Sequence, residues 1–331
     1  MHHGVRLGQS FRIEWEKDHS VFSPSLTMPN PPLTIRLRHS PSFAAQSHGW
    51  CRLAPFSLDG DRMDWAVRLP KGGARRVSIR WSDRSDAVRI VVPGRQIGES
   101  DREFLRSRVQ WMFRADEDFG EFWELCRGHA VLRHCRSERT GALLRCATVF
   151  EDVVKTMTTV NCSWTNTKLM VTNLCRMFGE PCAGDGEAFT FPTPERLAVV
   201  TVDDLKAAKL GFRARYILEF VRRVVDGDLD LDVWCRERDS EALRSSLLGV
   251  KGVGSYAANH LLMLLGHYDQ IPCDSEVREY LGMSPKAAQK EVERAAVKRY
   301  GHWGQFAFLA FKFERVFKRL NYVDIVDGKR K

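Results

Sequence analysis

The chain has 331 residues, 44% hydrophobic and 28% charged, a composition that excludes low-complexity or fibrous chains and sets a soft prior of about two domains. Its 51 Lys and Arg against 42 Asp and Glu leave a formal net charge of +9, which fits either a polyanionic partner or an Arg-rich solvated surface. Nine scattered cysteines form no Cys-x-x-Cys pair, so neither a disulfide framework nor a zinc ribbon is expected, and free thiols suit a reducing compartment.

No apolar run has the length of a signal-peptide core or a membrane span, so no membrane role is expected. Residues 24–41 are rich in Pro and Ser and read as irregular chain. Short alternating runs follow at 50–58, 63–69, 76–81 and 87–92, separated by turn residues such as Asp59-Gly60 and Gly72-Gly73. They predict an antiparallel meander with one wet face.

After Glu99 the apolar spacing changes to three and four, from Arg102 onward. The period predicts helices over 119–127, 150–160, 166–177, 202–209, 214–225, 239–248, 255–265, 284–300 and 304–320. The Gly- and Pro-rich stretch 182–194 reads as a loop. The expected architecture is α+β: an N-terminal β-rich domain over 1–115, an all-α domain over 116–325, and a basic tail at 326–331.

The most informative stretch runs from Leu247 to Asn259, with a predicted helix on each side of Gly252-Val253-Gly254. Glycines tolerate φ angles that other residues resist, and they let backbone N–H groups approach a phosphate. Lys251 can add a point charge there, and Ser255 can cap the next helix. A Gly-x-Gly turn alone is commonplace. Here the following helix leads into Ile271-Pro272-Cys273-Asp274, which places a carboxylate at a helix start.

The glycine turn and the Pro-x-Asp segment together, at this distance, resemble the helix-hairpin-helix (HhH-GPD) DNA glycosylase superfamily. The resemblance spans about residues 116 to 320 and implies double-stranded DNA containing a damaged base as partner. It implies a monomer, cytoplasmic in a bacterium or nuclear in a eukaryote. It makes Asp274 the catalytic carboxylate: cleavage of an N-glycosidic bond builds positive charge on the sugar, which an ionised Asp opposes while it activates water. It requires no cofactor and allows a structural monovalent cation at the hairpin carbonyls. No Cys follows Cys273, so the Fe–S loop of the endonuclease III branch has no counterpart.

Lyase-active members carry a Lys two residues after the second hairpin Gly, where this chain has Tyr256. A phenol forms no Schiff base, so hydrolysis without strand cleavage is expected, with Lys251 the only amine near the hairpin. Tyr256 and His260 lie four apart and share a helix face. The resemblance to bacterial alkyladenine glycosylases makes them pocket walls for a flipped, alkylated base.

A second similarity is to 8-oxoguanine glycosylases. It gives Asn161 the gap left by the flipped base, Phe212 the wedge, and Arg213 the orphan cytosine. The departures are Asn166 for a second orphan-base Arg, His260 for a lesion-stacking Cys, Glu276 for a phosphate-contacting His, and Phe308 for the lesion-reading Gln. The pocket therefore favours the alkylated purine. The alternatives are an 8-oxoguanine-type enzyme, a mismatch glycosylase for uracil or thymine, and a hairpin protein that binds DNA without chemistry.

Overall fold

Alternating buried residues on short strands build the first layer. The computed structural model describes residues 33–82, 86–94 and 97–320; the segment 1–32 before β1 and the expected basic tail at 326–331 lie outside them. Strands β1 (Leu33–Arg36), β2 (Phe56–Asp59), β3 (Arg62–Leu69), β4 (Gly73–Arg80) and β5 (Ala87–Val91) form an antiparallel sheet in the order β1-β5-β4-β3-β2. Met63 pairs with Ile79, and Ile79 with Ile90, so one face carries a continuous apolar row. That face packs on helix α2 (Glu99–Met112) through Leu105 and Val109.

Three expectations change here. The Pro- and Ser-rich start contains β1 and runs into a short helix α1 (Pro41–Gln46), capped by Ser40. The run from Trp50 to Leu58 is a 3-10 turn (Gly49–Arg52) followed by β2, because a Pro at 55 interrupts any longer strand. The outer face of the sheet is not fully wet. The stretch expected as a loop forms a two-stranded ribbon, β6 (Pro181–Cys182) with β7 (Asp185–Phe189), which covers Ala66 and Ala74. Arg76 binds both Asp64 of the sheet (2.9 Å) and Asp185 of the ribbon (2.7 Å). The helical part is thus not all-α.

The remaining helices are α3 (Gly120–Cys126), α4 (Val149–Thr159), α5 (Trp164–Phe178), α6 (Pro194–Ala198), α7 (Val202–Ala207) and α8 (Arg213–Val225). Then come α9 (Leu231–Arg236), α10 (Ser240–Leu248), α11 (Ser255–Leu264), α12 (Ser275–Tyr280), α13 (Gln289–Tyr300) and α14 (Ala307–Arg319). Local chemistry sets several starts: Thr148, Ser163, Thr193, Thr201 and Asp239 each cap a helix with a side-chain oxygen. One buried apolar cluster runs from the strands through α2 into the helices.

A buried arginine ties the two parts together. Arg114 donates to the carbonyls of Met263 and Leu264 at the end of α11 (both 2.8 Å), to Leu143 (2.6 Å), and pairs with Glu117 (2.6 Å). Tyr268 completes the network through its hydroxyl on Glu117 (2.7 Å). These bonds satisfy C-terminal helix carbonyls that would otherwise be orphaned, and they fix the far end of the helix that leaves the glycine turn.

Candidate active site

The glycine turn joins α10 to α11. Gly252 has φ +88°, and a Cβ there would stand 2.8 Å from Cβ of Tyr216, so both backbone and space demand glycine. Gly254 differs from the sequence expectation: its φ of −92° is ordinary extended backbone. Nothing lies within 4 Å of a Cβ built there, so the residue keeps an open approach to the turn rather than an unusual fold. Among the described residues the amides of Gly252 and Gly254 find no backbone acceptor, while Val253 N–H bonds to Val250 O at 3.0 Å. Ser255 does not cap α11; Gly254 holds the cap position and the Ser255 hydroxyl donates to Glu293 (3.1 Å). Lys251 is exposed beside the turn and pairs with Glu219 at 3.1 Å.

Asp274 is the N-cap of α12, and its carboxylate accepts the N–H of Val277 at 2.9 Å. Burial pushes its carboxyl up from the usual range, against the capping bond, which lowers it; Glu276 raises it further and Arg315 opposes. Burial therefore outweighs the capping bond in setting the direction of the shift. The segment before Asp274 is fixed from two sides. Asn259 of α11 donates to Ile271 O (3.3 Å), and Gln289 of α13 donates to Cys273 O (2.8 Å).

Asp274 opens into a cleft of about 720 Å3, which Tyr256, His260, Phe308 and Asn161 also line. Tyr256 and His260 share a face as expected, with ring centroids 5.7 Å apart. Two further walls come from the N-terminal part. Nε2 of His48 lies 2.8 Å from Nε2 of His260, and Trp50 lies against His260 at 5.3 Å between centroids. Trp50 is held there by Asp152 of α4, which accepts its Nε1–H at 2.7 Å. Burial lowers His260 to about 3 and holds His48 well below its usual value, so both imidazoles are neutral. Sequence reasoning missed His48 and Trp50, which carry no local signal.

Lys312 of α14 also lines the cleft. Burial lowers its amine to about 8, with Arg315 adding to the effect and Glu276, Asp274 and Cys51 opposing it. This lysine was legible in principle, because it is the single charge within the apolar run Phe308 to Phe313.

A second depression adjoins the glycine turn and is lined by Phe212, Arg213, Tyr216 and residues 251–254. Phe212 projects with 58% of its surface exposed, as a wedge would. Arg213 departs from the orphan-base role. It is buried, and its guanidinium donates to the carbonyls of Val160 and Asn161, where α4 ends, while stacking on Phe212 at 4.5 Å. Asn161 is exposed with φ +48°, so Arg213 holds the turn that presents it.

The structure thus holds a glycine turn between two helices, a carboxylate in an aromatic cleft, and an exposed aromatic ring beside the turn. No family model matches the chain. It is 25% identical over 179 residues to a probable N-glycosylase/DNA lyase of Methanothermobacter thermautotrophicus, covering 48% of this chain and 57% of that protein. It is 22% identical over 267 residues to the N-glycosylase/DNA lyase of Saccharomyces cerevisiae, covering 70% of each. The 3-methyladenine DNA glycosylase of Archaeoglobus fulgidus superposes with a TM-score of 0.66 at 20% identity, over 86% of this chain and 98% of that one. The likeness to that solved structure shows a shared fold.

Proposed function

We propose that the protein excises a damaged base from duplex DNA by hydrolysing its N-glycosidic bond, with Asp274 as the catalytic carboxylate. The observation that carries this is the placing of Asp274 in the aromatic cleft beside the glycine turn. A phosphate held by the open amides of Gly252 and Gly254 would set the flipped nucleotide's sugar against Asp274. As the base departs, the carboxylate opposes the charge growing on the sugar and accepts a proton from the attacking water. Tyr256 occupies the hairpin position of the lyase amine, so the base-releasing step is hydrolytic. Phe212 would fill the stack vacated by the flipped base, with Asn161 beside it.

The preferred lesion in this reading is an alkylated purine, stacked among Trp50, Tyr256 and Phe308 beside a neutral His260. One observation favours a second reading. The ammonium of Lys312 in the same cleft opposes a cationic base, which benefits a neutral oxidised purine of the 8-oxoguanine type. Duplexes bearing 3-methyladenine, 1-methyladenine, hypoxanthine, uracil or 8-oxoguanine decide between them, read by alkali-dependent strand cleavage. Release of none of these bases by the wild-type protein overturns the reading.

A further inference from the structure

We propose that Lys312 is an amine nucleophile that condenses with the abasic sugar left in the cleft and cuts the strand there. The inference rests on the cleft receiving that sugar, as the base-excision reading holds, and it replaces the expectation of hydrolysis alone.

That expectation came from the hairpin, where Tyr256 supplies no amine and Lys251 is exposed and paired with Glu219. The C-terminal helix supplies one instead. Lys312 lines the same cleft as Asp274, Tyr256 and His260. It has no hydrogen-bond or ion-pair partner among the described residues. Its charged neighbours each have other partners: Arg315 on its own helix pairs with Glu276 of α12, and Asp274 caps α12. His260 of α11 faces it as a neutral ring, and His48 does so from the N-terminal part. An unpaired, half-buried amine in an enclosed cleft is what an imine-forming lysine requires. Burial also lowers the amine to about 8, which leaves a useful neutral fraction near neutral pH.

The chemistry balances with groups in the cleft. Base release leaves the sugar in equilibrium with its open aldehyde. The neutral Nζ adds its lone pair to C1′, and loss of one water gives the iminium. The Asp274 carboxylate takes a proton from C2′, whose C–H electrons form the new C2′=C3′ bond. The C3′–O bond breaks, and the 3′-phosphate departs with that electron pair. One water then hydrolyses the imine, freeing Lys312 and an unsaturated aldehyde.

The test uses a duplex with a preformed abasic site, so it does not depend on base excision. Borohydride should trap the full-length protein on this DNA, and peptide mapping should place the reduced adduct on Lys312. Trapping should rise with pH and level off above about 8. Lys312→Met should lose the adduct while still binding the abasic duplex; should it fail to fold, mapping of the wild-type adduct alone decides. No adduct, or an adduct on any other residue, overturns the proposal. Released bases without a trapped adduct sink this inference alone, whereas an adduct on Lys312 without base release sinks the base-excision reading alone.

Discussion

His48 and His260 meet nitrogen to nitrogen, with their Nε2 atoms 2.8 Å apart. One ring must donate and the other accept, so the contact exists only while at least one imidazole is neutral. Neither Nδ1 has a hydrogen-bond partner among the described residues, so the buried pair keeps one donor and one acceptor unused.

Folding stability should therefore fall on acidification. His260 titrates at about 3 and the buried His39 at about 4 in the folded chain, against an unfolded value of 6.5. Below 6.5 the unfolded chain takes up protons that the folded chain refuses, so acid favours unfolding. The stability is fully present above 6.5 and is lost as pH falls toward 4 and 3. Each such histidine contributes a slope of about 1.4 kcal/mol per pH unit. Urea titrations at pH 7, 6 and 5 should show it, and His260→Gln should flatten the slope; an unchanged slope in that variant contradicts the neutral pair.

Asp274→Asn should lower base release by about 100- to 10,000-fold while duplex binding persists. The raised carboxyl adds a pH signature. The ionised form does the work, so single-turnover release should rise with pH and reach its plateau above the ordinary carboxylate range. Turnover by the variant matching the wild type removes Asp274 from the chemistry.

Phe212→Ala should leave thermal stability within about 0.5 kcal/mol, because the ring is exposed. Affinity for lesion duplex should fall by about 1–3 kcal/mol through lost stacking. Single-stranded lesion DNA has no gap to fill and should be bound as before. Equal losses on both substrates would rule out a wedge.

Arg114→Met should cost about 3–5 kcal/mol, since it leaves the carbonyls of Leu143 and Met263 without their donor and takes the guanidinium from the half-buried Glu117, which keeps only Tyr268 and the more distant Arg145. Denaturant midpoints measure this directly. A loss below about 1 kcal/mol would mean that water replaces the guanidinium.

Elements with a strong local signal were legible in the sequence. The glycine turn, the N-cap at Asp274 and the amphipathic helices α4, α8 and α14 follow from spacing and capping. Helix α13 starts later than its periodicity suggested, at Gln289 rather than Ser284, because Ser284 forms a local turn through Lys286 N–H. The ribbon β6–β7 was hidden by its own Gly and Pro content, since tertiary cover of Ala66 and Ala74 stabilises it rather than propensity. Arg213 shows the same limit at the site: the sequence gives its position beside Phe212, but only packing reveals that its donors are already committed to Val160 and Asn161. Trp50 entered the cleft through Asp152, a pairing that no short-range pattern encodes.

The unbroken apolar cluster that links strands and helices makes the molecule a single thermodynamic unit. Its strands should not melt ahead of its helices, and calorimetry should show one transition. Duplex gripped at the glycine turn would then protect amides as distant as those of β3 from hydrogen exchange, because any opening that exposes them must first release the DNA.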